Sequence, residues 1–474
     1  MYCDFLESAL TADGVINREE FVQWVEERRA AHRFEVCRKP LANLSGWSIE
    51  PDTGDIAHCS GKFFRIEGIE VTTSFGHVKR WMQPIINQPE IGILGFLTQK
   101  IGGVLHFLVQ AKMEPGNVNL LQLSPTVQAT RSNYKGVHGG SRPLYLDYFL
   151  DRGAARFRVD QLQSEQGARF LRKRNRNMIV EVPPGCAVHE HPDFRWMTLG
   201  QLFDCLNVDN LVNMDSRTVL SCVPFSAMYS ATDVRAAGSN GVNSTFRQLV
   251  LQSALAGEEE IATGIDNIIS WLTWLKTEFE LTVRRVPLKA IEGWSNDGEV
   301  IRHRGGKFFS VMGVSVESTS REVTRWDQPL IDSEPGGIIG FLCQQHEGKL
   351  RFLVQGRVEP GNLDLVELAP TLQCTPSNYA PDRPDLLPPF FDAIVNAPPV
   401  QIRYAACQSE EGGRFYHDVN RYLVVEIDRD EVLTLPPNYI WMTIWQIKEF
   451  IRFNNYFNIE ARGLISCLGL ELPS

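Results

Sequence analysis

At 474 residues, 43% apolar and 22% charged, the chain has the composition of a globular protein and length for about two or three buried cores. Its formal net charge of −10 speaks against a nucleic-acid binder, which needs a basic face for phosphate. Met1 to Gly14 contains Asp4 and Glu7 and lacks the apolar run of a signal peptide, no stretch reaches a membrane span, and the ten cysteines form no C-x-x-C pair; the expectation is a reduced, cytoplasmic protein without membrane or metal.

In chain order, an amphipathic helix comes first, with Phe21, Val22, Trp24 and Val25. Apolar strands follow at Phe63 to Val71, Gly92 to Gln99 and Val104 to Lys112, the last two joined by the hairpin signal Lys100-Ile-Gly-Gly103. Leu144 to Leu150 reads as helix, Asn177 to Val182 as strand and Leu199 to Leu206 as helix. Tyr229 to Asn243, rich in Ser, Ala, Gly and Asn, cannot bury enough apolar surface to order itself. A second amphipathic helix carries Ile265, Ile268, Ile269 and Trp271, a second hairpin signal sits at Gln345-His-Glu-Gly348, and Ile444 to Phe453 reads as a helix. Hairpin-closed strands with helices between predict α+β domains with antiparallel or mixed sheet.

The pattern is a tandem duplication. Arg80-Trp-x-Gln-Pro84 recurs as Arg325-Trp-x-Gln-Pro329, Glu114-Pro-Gly-Asn117 as Glu359-Pro-Gly-Asn362, Ser132-Asn-Tyr134 as Ser377-Asn-Tyr379, and Gln163-Ser-Glu165 as Gln408-Ser-Glu410, all at a shift of 245. Further upstream the shift becomes 247, carrying Trp24 onto Trp271. The boundaries expected are a first repeat over 1–223, a flexible linker over 224–263 and a second repeat over 264–474.

No G-x-G-x-x-G or P-loop occurs, which leaves nicotinamide and ATP chemistry unsupported. The densest polar stretch, Gln128 to Gly140, offers hydroxyls, an amide, cations, an imidazole and glycines, a composition suited either to a solvated loop or to gripping phosphate and sugar oxygens. Ser-Asn-Tyr persists in the second half, whereas Arg131, Lys135 and His138 face Pro376, Ala380 and Arg383. The first half alone therefore keeps an imidazole and an ammonium, groups suited to proton transfer near neutrality. Glu165 and Arg169 recur as Glu410 and Arg414; they read equally as a surface ion pair or as an Arg on diphosphate with Glu as orienter or base. Trp81 and Trp326 read first as core, with base stacking as the alternative. His189 with His191, and the basic run Arg172 to Arg176, read as surface polar residues.

Taken together, Arg80-Trp-x-Gln-Pro84, Lys112-x-Glu-Pro-Gly-Asn117, Val127-Gln-Ala-Thr-x-Ser-Asn-Tyr134, Val137-His-Gly-Gly140, Gln163-Ser-Glu-Gln-Gly167 and Asn213-Met-Asp-x-Arg-Thr-Val-Leu-Ser-Cys222 resemble the NDP-hexose 2,3-dehydratases over nearly the whole chain. The resemblance implies a duplicated Nudix-like mixed-sheet α/β domain without the Nudix glutamate signature for metal, a homodimer, and no cofactor. It implies dehydration of dTDP-4-keto-6-deoxy-D-glucose across C2–C3, coupled to a 3-ketoreductase that consumes the unstable product. It also implies one catalytic and one vestigial pocket. We expect catalysis from His138, Lys135, Tyr134 and Glu165, and substrate binding by Trp81, Gln83, Arg131, Ser132, Asn133, Gln163 and Arg169. The second pocket would comprise Trp326, Gln328, Ser377, Asn378, Tyr379, Gln408, Glu410 and Arg414. The competing readings are a metal-dependent NDP-sugar hydrolase and a non-catalytic sugar-nucleotide-binding protein.

Overall fold

The computed structural model describes residues 3–131, 142–153, 155–183, 185–224, 245–257, 263–321 and 323–471. The first half contains α1 (Cys3–Leu10), α2 (Arg18–Ala31), β1 (Phe34–Lys39), β2 (Trp47–Ile49), β3 (Ile56–His58), β4 (Arg65–Thr73), β5 (Arg80–Asn87), β6 (Gly92–Ile101), β7 (Val104–Met113), β8 (Leu121–Ser124) and β9 (Val127–Ala129). It continues with α3 (Asp147–Leu150), β10 (Arg156–Ser164), β11 (Arg174–Glu181), β12 (Phe194–Met197), α4 (Leu199–Cys205) and α5 (Met214–Ser221).

The second half repeats the order: α6 (Phe246–Leu255), α7 (Ile265–Glu278), β13 (Leu281–Val286), β14 (Trp294–Asn296), β15 (Val300–His303), β16 (Phe309–Ser318), β17 (Arg325–Ser333), β18 (Gly337–His346), β19 (Lys349–Arg357), β20 (Glu367–Ala369) and β21 (Leu372–Cys374). It ends with α8 (Phe391–Val395), β22 (Ile402–Ser409), β23 (Val419–Glu426), β24 (Tyr439–Thr443), α9 (Ile444–Ile451) and α10 (Ile459–Ser466).

Each half builds a seven-stranded mixed sheet, β10-β11-β6-β7-β12 in one and β22-β23-β18-β19-β24 in the other, with β8 on β7, β9 on β6, β20 on β19 and β21 on β18. Within them β11–β6 and β23–β18 are parallel and the other pairs antiparallel. Both hairpins read from the sequence form, closing at Ile101↔Val104 and His346↔Lys349. The fold is thus a duplicated α+β architecture, as expected.

The two smaller sheets are not made half by half. β1 of the first half pairs with β16 of the second, from Phe34↔Ser318 to Lys39↔Gly313. Reciprocally, β13 pairs with β4, from Leu281↔Thr73 to Val286↔Gly68. The halves therefore exchange their first strands. β13 lays Leu281 and Val283 over Ile69, Val71 and Ile85, and its Arg285 meets Glu67 at 2.6 Å.

Residues 246–255 correct the linker expectation. Thr245 caps α6 in a reciprocal box with Gln248, and Leu249, Val250, Leu251 and Ala254 are buried. Ser253 Oγ donates to Leu350 O at 2.6 Å, as Ser8 Oγ donates to Leu105 O at 2.5 Å, so α6 is the counterpart of α1 at the shift of 245. The linker bound of 263 overran this helix, whereas the composition argument covered only Tyr229 to Asn243. Residues 225–244, which include the Ser- and Gly-rich stretch, lie outside the described residues.

One apolar core runs continuously through both halves, from Phe5, Phe96 and Phe107 to Phe341, Phe352 and Phe457. Two fully buried arginines pin the seam. Arg217 on α5 donates to Val212 O at 2.7 Å and to Ser409 O of the other half at 2.6 Å. Arg462 on α10 does the same with Phe457 O at 2.5 Å and Ser164 O at 2.6 Å.

Candidate functional site

The turn after β7 holds Glu114-Pro-Gly-Asn117, and the second half clasps it. Gly116 N–H donates to Gly412 O at 2.8 Å, and His417 N–H donates to Gly116 O at 2.7 Å. A Cβ on Gly116 would stand 1.6 Å from Phe415 O, so only glycine permits this approach. The clasp delivers Glu411 and Arg414 of the second half to a charged cluster of the first. There Lys112 Nζ lies 3.4 Å from Glu114 Oε1, and Gln128 Nε2 of β9 donates to the same oxygen at 2.9 Å. Arg321 approaches it at 3.8 Å. Asn213 caps α5 through Ser216 N and thereby sets Asp215 in the first turn of that helix. Glu165 Oε1 accepts from Asn175 Nδ2 at 2.6 Å, and Lys173 Nζ donates to Glu90 O. The Arg414 guanidinium lies 4.3 Å over Phe64, beside the Gly413 carbonyl that accepts from Gln328 Nε2 at 2.8 Å. Among the described residues, Glu114 Oε2 and Glu165 Oε2 are buried without a hydrogen-bond donor.

A second cluster repeats this with the roles of the halves reversed. Gly361 N–H donates to Gly167 O at 2.7 Å, bringing Gln166 and Arg169 of the first half to Arg357, Glu359 and Glu460 of the second. Arg357 Nε donates to Glu359 Oε1 at 2.9 Å, and Gln166 Nε2 to Glu410 Oε2 at 2.7 Å. Arg169 lies 4.2 Å over Phe309.

The clusters differ where it matters for proton chemistry. Glu411, Lys112 and Lys173 of the first correspond to Gln166, Arg357 and Asp418 of the second, and Arg321 has only Gly76 as its counterpart. Lys can lose a proton in a protein and Arg cannot. Burial, reinforced by Glu411, raises the Glu165 carboxyl to about 7. Burial, then the Glu411, Glu114 and Glu165 charges, pushes Asp215 well above its usual range. Burial also lowers Lys173 to about 8, against the attraction of Glu165 and Glu411. Such groups exchange protons near neutrality, and the second cluster holds one too, since burial and then Glu410 raise Asp418 to about 7; what the first alone has is the buried lysines.

The positions expected from sequence divide accordingly. His138, Lys135, Tyr134, Ser132 and Asn133 lie outside the described residues; Arg131 stands exposed just past the end of β9. Glu165 is in the first cluster. Arg169, Trp81 and Gln83 are not: Gln83 Nε2 donates to Ala168 O at 2.9 Å and Trp81 Nε1 to Gln83 Oε1 at 2.8 Å, all beside the second cluster. Arg414, Gln328 and Trp326, expected in the second pocket, stand by the first. The reason is the clasp, which carries each Gly-Gly-Arg or Gly-Ala-Arg turn across the seam. Both tryptophans are half-buried and pack against apolar cores.

Gln163 and Gln408 are fully buried, with Gln163 Nε2 donating to Ile451 O at 2.7 Å and Gln408 Nε2 to Leu206 O at 2.8 Å. Their Nε2 groups tie the halves together. Glu410 stays in the second cluster, and near it burial raises the Tyr379 hydroxyl above its usual value against the attraction of Arg357. Asn378 Oδ1 accepts from Phe308 N–H at 2.9 Å, and Ser377 lies in the same short turn.

Lys173, Asp215 and Glu411 escaped the sequence reading. The available signal was a charged residue at a position the fold buries: Lys173 hides inside a run that otherwise reads as a solvated basic face. Arg176 of that run does pair at the surface, with both Asp160 oxygens at 2.6 Å. No group of three His, Cys, Asp or Glu suited to a metal ion occurs among the described residues, and no described helix is long and apolar enough to cross a membrane.

Comparison with known proteins matches each half separately. The family model described as NDP-hexose 2,3-dehydratase aligns with residues 18–223 and again with 265–468. A protein of Saccharopolyspora spinosa named dTDP-4-dehydro-6-deoxy-alpha-D-glucopyranose 2,3-dehydratase is 46% identical over 98% of this chain and 94% of its own length. Proteins of the same name from Amycolatopsis orientalis and Streptomyces violaceoruber are 44% and 43% identical, over 97% and 94% of this chain and 92% and 96% of their own lengths. With both halves matched and the motifs placed on one seam, the chain belongs to the NDP-hexose 2,3-dehydratase family.

Proposed function

We propose that the chain dehydrates dTDP-4-keto-6-deoxy-D-glucose across C2–C3, giving a dTDP-3,4-diketo-2,6-dideoxyhexose for deoxysugar biosynthesis. The observation that carries this reading is the full-length likeness to relatives named for that reaction. The substrate ketone does the electronic work. It acidifies the C3 proton, a base removes that proton, and charge gathers on the C4 oxygen. Collapse of the enolate forms the C2–C3 double bond and expels the C2 hydroxyl as water once an acid protonates it. The enol then tautomerises to the 3-ketone.

The protein must supply an acid, a base and donors for the developing oxyanion; general acid–base catalysis contributes about 10²–10⁴-fold. His138 is the proposed base, with Lys135 or Tyr134 on the C4 oxygen and Glu165 as the acid. Arg131, Ser132 and Asn133 would hold the phosphates or sugar hydroxyls, joined by Arg414 in place of Arg169. The retention of titratable Lys112, Lys173 and Glu411 favours the first cluster as the catalytic one. The second, with Arg169 and Arg357 against Glu359, Glu410, Asp418 and Glu460, is the proposed vestigial pocket.

The finer reading extends to a Nudix-like ancestry for each half, a homodimer, a cytoplasmic location in an antibiotic pathway and a partner 3-ketoreductase. The mixed sheet and the absence of a disulfide among the described cysteines are compatible with it. The test is incubation with the 4-keto sugar nucleotide plus a 3-ketoreductase and its nicotinamide. A dTDP-2,6-dideoxy sugar is the expected product. Unaltered sugar nucleotide would favour a binding protein, and metal-dependent release of sugar phosphate a hydrolase.

A further inference from the structure

The loop between β16 and β17 belongs to the second half in sequence and to the first cluster in space. Thr319 N–H donates to Arg33 O at 3.0 Å and Arg33 N–H to Thr319 Oγ1 at 3.0 Å, so the residue just before β1 of the first half holds the loop. Ser320 N–H donates to Ser318 Oγ at 3.1 Å and Ser318 N–H to Thr324 O at 2.9 Å, which fixes the turn. Arg321, in its middle, reaches across the seam and brings Nη2 to 3.8 Å from Glu114 Oε1. That oxygen is already served: Gln128 Nε2 donates to it at 2.9 Å, and Lys112 Nζ lies 3.4 Å away. At 3.8 Å the arginine is attracted to Glu114 without a hydrogen bond, so this contact occupies none of its donors. The Arg321 side chain is 24% exposed, against 7% for Lys112 and 2% for Glu114, which sets it at the outer edge of the cluster.

We propose that Arg321, supplied by the second half, is a substrate-binding residue of the first-half site and holds the diphosphate of the sugar nucleotide. The inference rests on the dehydratase reading above. A guanidinium presents a planar fork of donors that matches two phosphate oxygens at once. Its place suits that task. Gln128, which shares Glu114 with Arg321, lies on β9 at the start of the polar stretch read as a phosphate grip, and Arg131 follows three residues on. A hexose set among the buried acids and lysines would leave its diphosphate towards the outer edge, where Arg321 stands.

The matching loop of the first half is anchored in the same way: Ser74 N–H donates to Glu280 O at 3.1 Å and Glu280 N–H to Ser74 Oγ at 2.8 Å. At the place of Arg321 it carries Gly76, where a Cβ would meet no atom within 4 Å. Both loops are therefore held by an exchanged strand, and only the one serving the first cluster offers a cation at this position. The charge balance agrees. Lys173 for Asp418 adds two positive charges and Arg321 for Gly76 adds one, while Glu411 for Gln166 removes one, so the first cluster is more positive by two formal charges. A diphosphate substituted at both ends carries one negative charge on each phosphoryl group, which this surplus matches.

The test is Arg321→Gln in the full chain, with kcat and KM measured for the 4-keto sugar nucleotide. dTDP and thymidine serve as competitive inhibitors, one with the phosphates and one without. KM and the dTDP inhibition constant are expected to rise about ten- to a hundredfold, with the thymidine constant moving less than about twofold and kcat falling less than KM rises. Arg321→Lys, which keeps the charge and loses the fork, should fall between wild type and Arg321→Gln. An unchanged KM and dTDP constant overturns the proposal. So does an equal weakening of thymidine, which would make Arg321 a support for the loop, or a fall in kcat at constant KM, which would put it on the reacting hexose. If Arg321→Gln does not fold, Arg321→Lys decides: a dTDP constant raised at least about threefold with thymidine unmoved is expected, and no rise overturns the assignment. Wild-type protein that leaves the sugar nucleotide unaltered would instead overturn the dehydratase reading. Calorimetric titration of dTDP into wild type and variant then reads Arg321 by itself, and equal affinities would overturn its role.

Discussion

Separating the halves tests the exchanged strands most directly. A chain of residues 1–223 lacks β13, which pairs with β4 through six residues from Leu281↔Thr73 to Val286↔Gly68. Such a ladder carries on the order of six backbone hydrogen bonds, each contributing about 0.5–1.5 kcal/mol, so about 3–9 kcal/mol is lost. Removing Leu281 and Val283 also uncovers Ile69, Val71 and Ile85, now fully buried, and Glu67 loses Arg285. The sum rivals the roughly 5–15 kcal/mol that stabilises a typical domain. The fragment would meanwhile display β1 without its partner β16, an unpaired edge that invites aggregation. We therefore expect residues 1–223 alone to be unfolded or aggregated by circular dichroism and size-exclusion chromatography. Coexpression with residues 245–474 should recover a soluble one-to-one complex, because each fragment brings the strand the other needs. A monomeric 1–223 fragment melting cooperatively within a few degrees of the whole chain would refute this reasoning.

Three further outcomes follow from particular contacts. Gly116→Ala would set a methyl 1.6 Å from Phe415 O, and should cost more than about 3 kcal/mol in urea denaturation while abolishing turnover. Arg414→Met should lower kcat/KM at least about tenfold more than Arg169→Met, since charge-assisted hydrogen bonds contribute about 1.5–3 kcal/mol and only Arg414 belongs to the proposed catalytic cluster. Glu367, buried and accepting from Ser164 Oγ at 2.7 Å, is raised by burial to about 8. The unfolded carboxyl ionises near pH 4.5 while the folded one stays protonated, so the folded state binds the extra proton and stability falls as pH rises between the two values. Glu367→Gln mimics the neutral acid; its gain should be absent below pH 4.5 and reach on the order of 4–5 kcal/mol near pH 8, read by urea midpoints at both ends.

What the sequence disclosed and what it hid follow from the range of the forces involved. Hairpins, helix caps and the repeat are local: Lys100-Ile-Gly-Gly103 closes β6 onto β7, and Thr198 and Thr443 box their helices with Gln201 and Gln446, three residues on. Those are legible in short windows. α6 was hidden because its neighbour in sequence is polar, while its support comes from β19 and α9, far along the chain. The exchange of β1 and β13 was hidden more deeply. Both strands match their counterparts in length and pattern, and the identity of the two halves makes either pairing equally compatible with the residues. Arg169 was expected beside Glu165 and lies in the other cluster for that reason: equivalence between repeats says which residues correspond, and not which half they serve.

The exchange also bears on the half proposed to carry the vestigial pocket. Arg217 and Arg462 each satisfy a carbonyl of the opposite half, and Glu411 with Arg414 comes to the first cluster on the same turn that carries Gly412 into the Gly116 contact. A second half free to lose its own proton-transfer groups is not free to lose that turn, because the first half's site is built from it. Pro376 against Arg131 and Asp418 against Lys173, positions at which the halves differ, lie outside that turn. The reverse holds for Gln166. Its amide donates to Glu410 at 2.7 Å, so the first half's turn serves the second cluster in the same way. With exchanged strands each half is needed by the other's cluster, so on the proposed reading a substitution in the second half's Glu-Glu-Gly-Gly-Arg turn should register first in the kinetics of the first half's site.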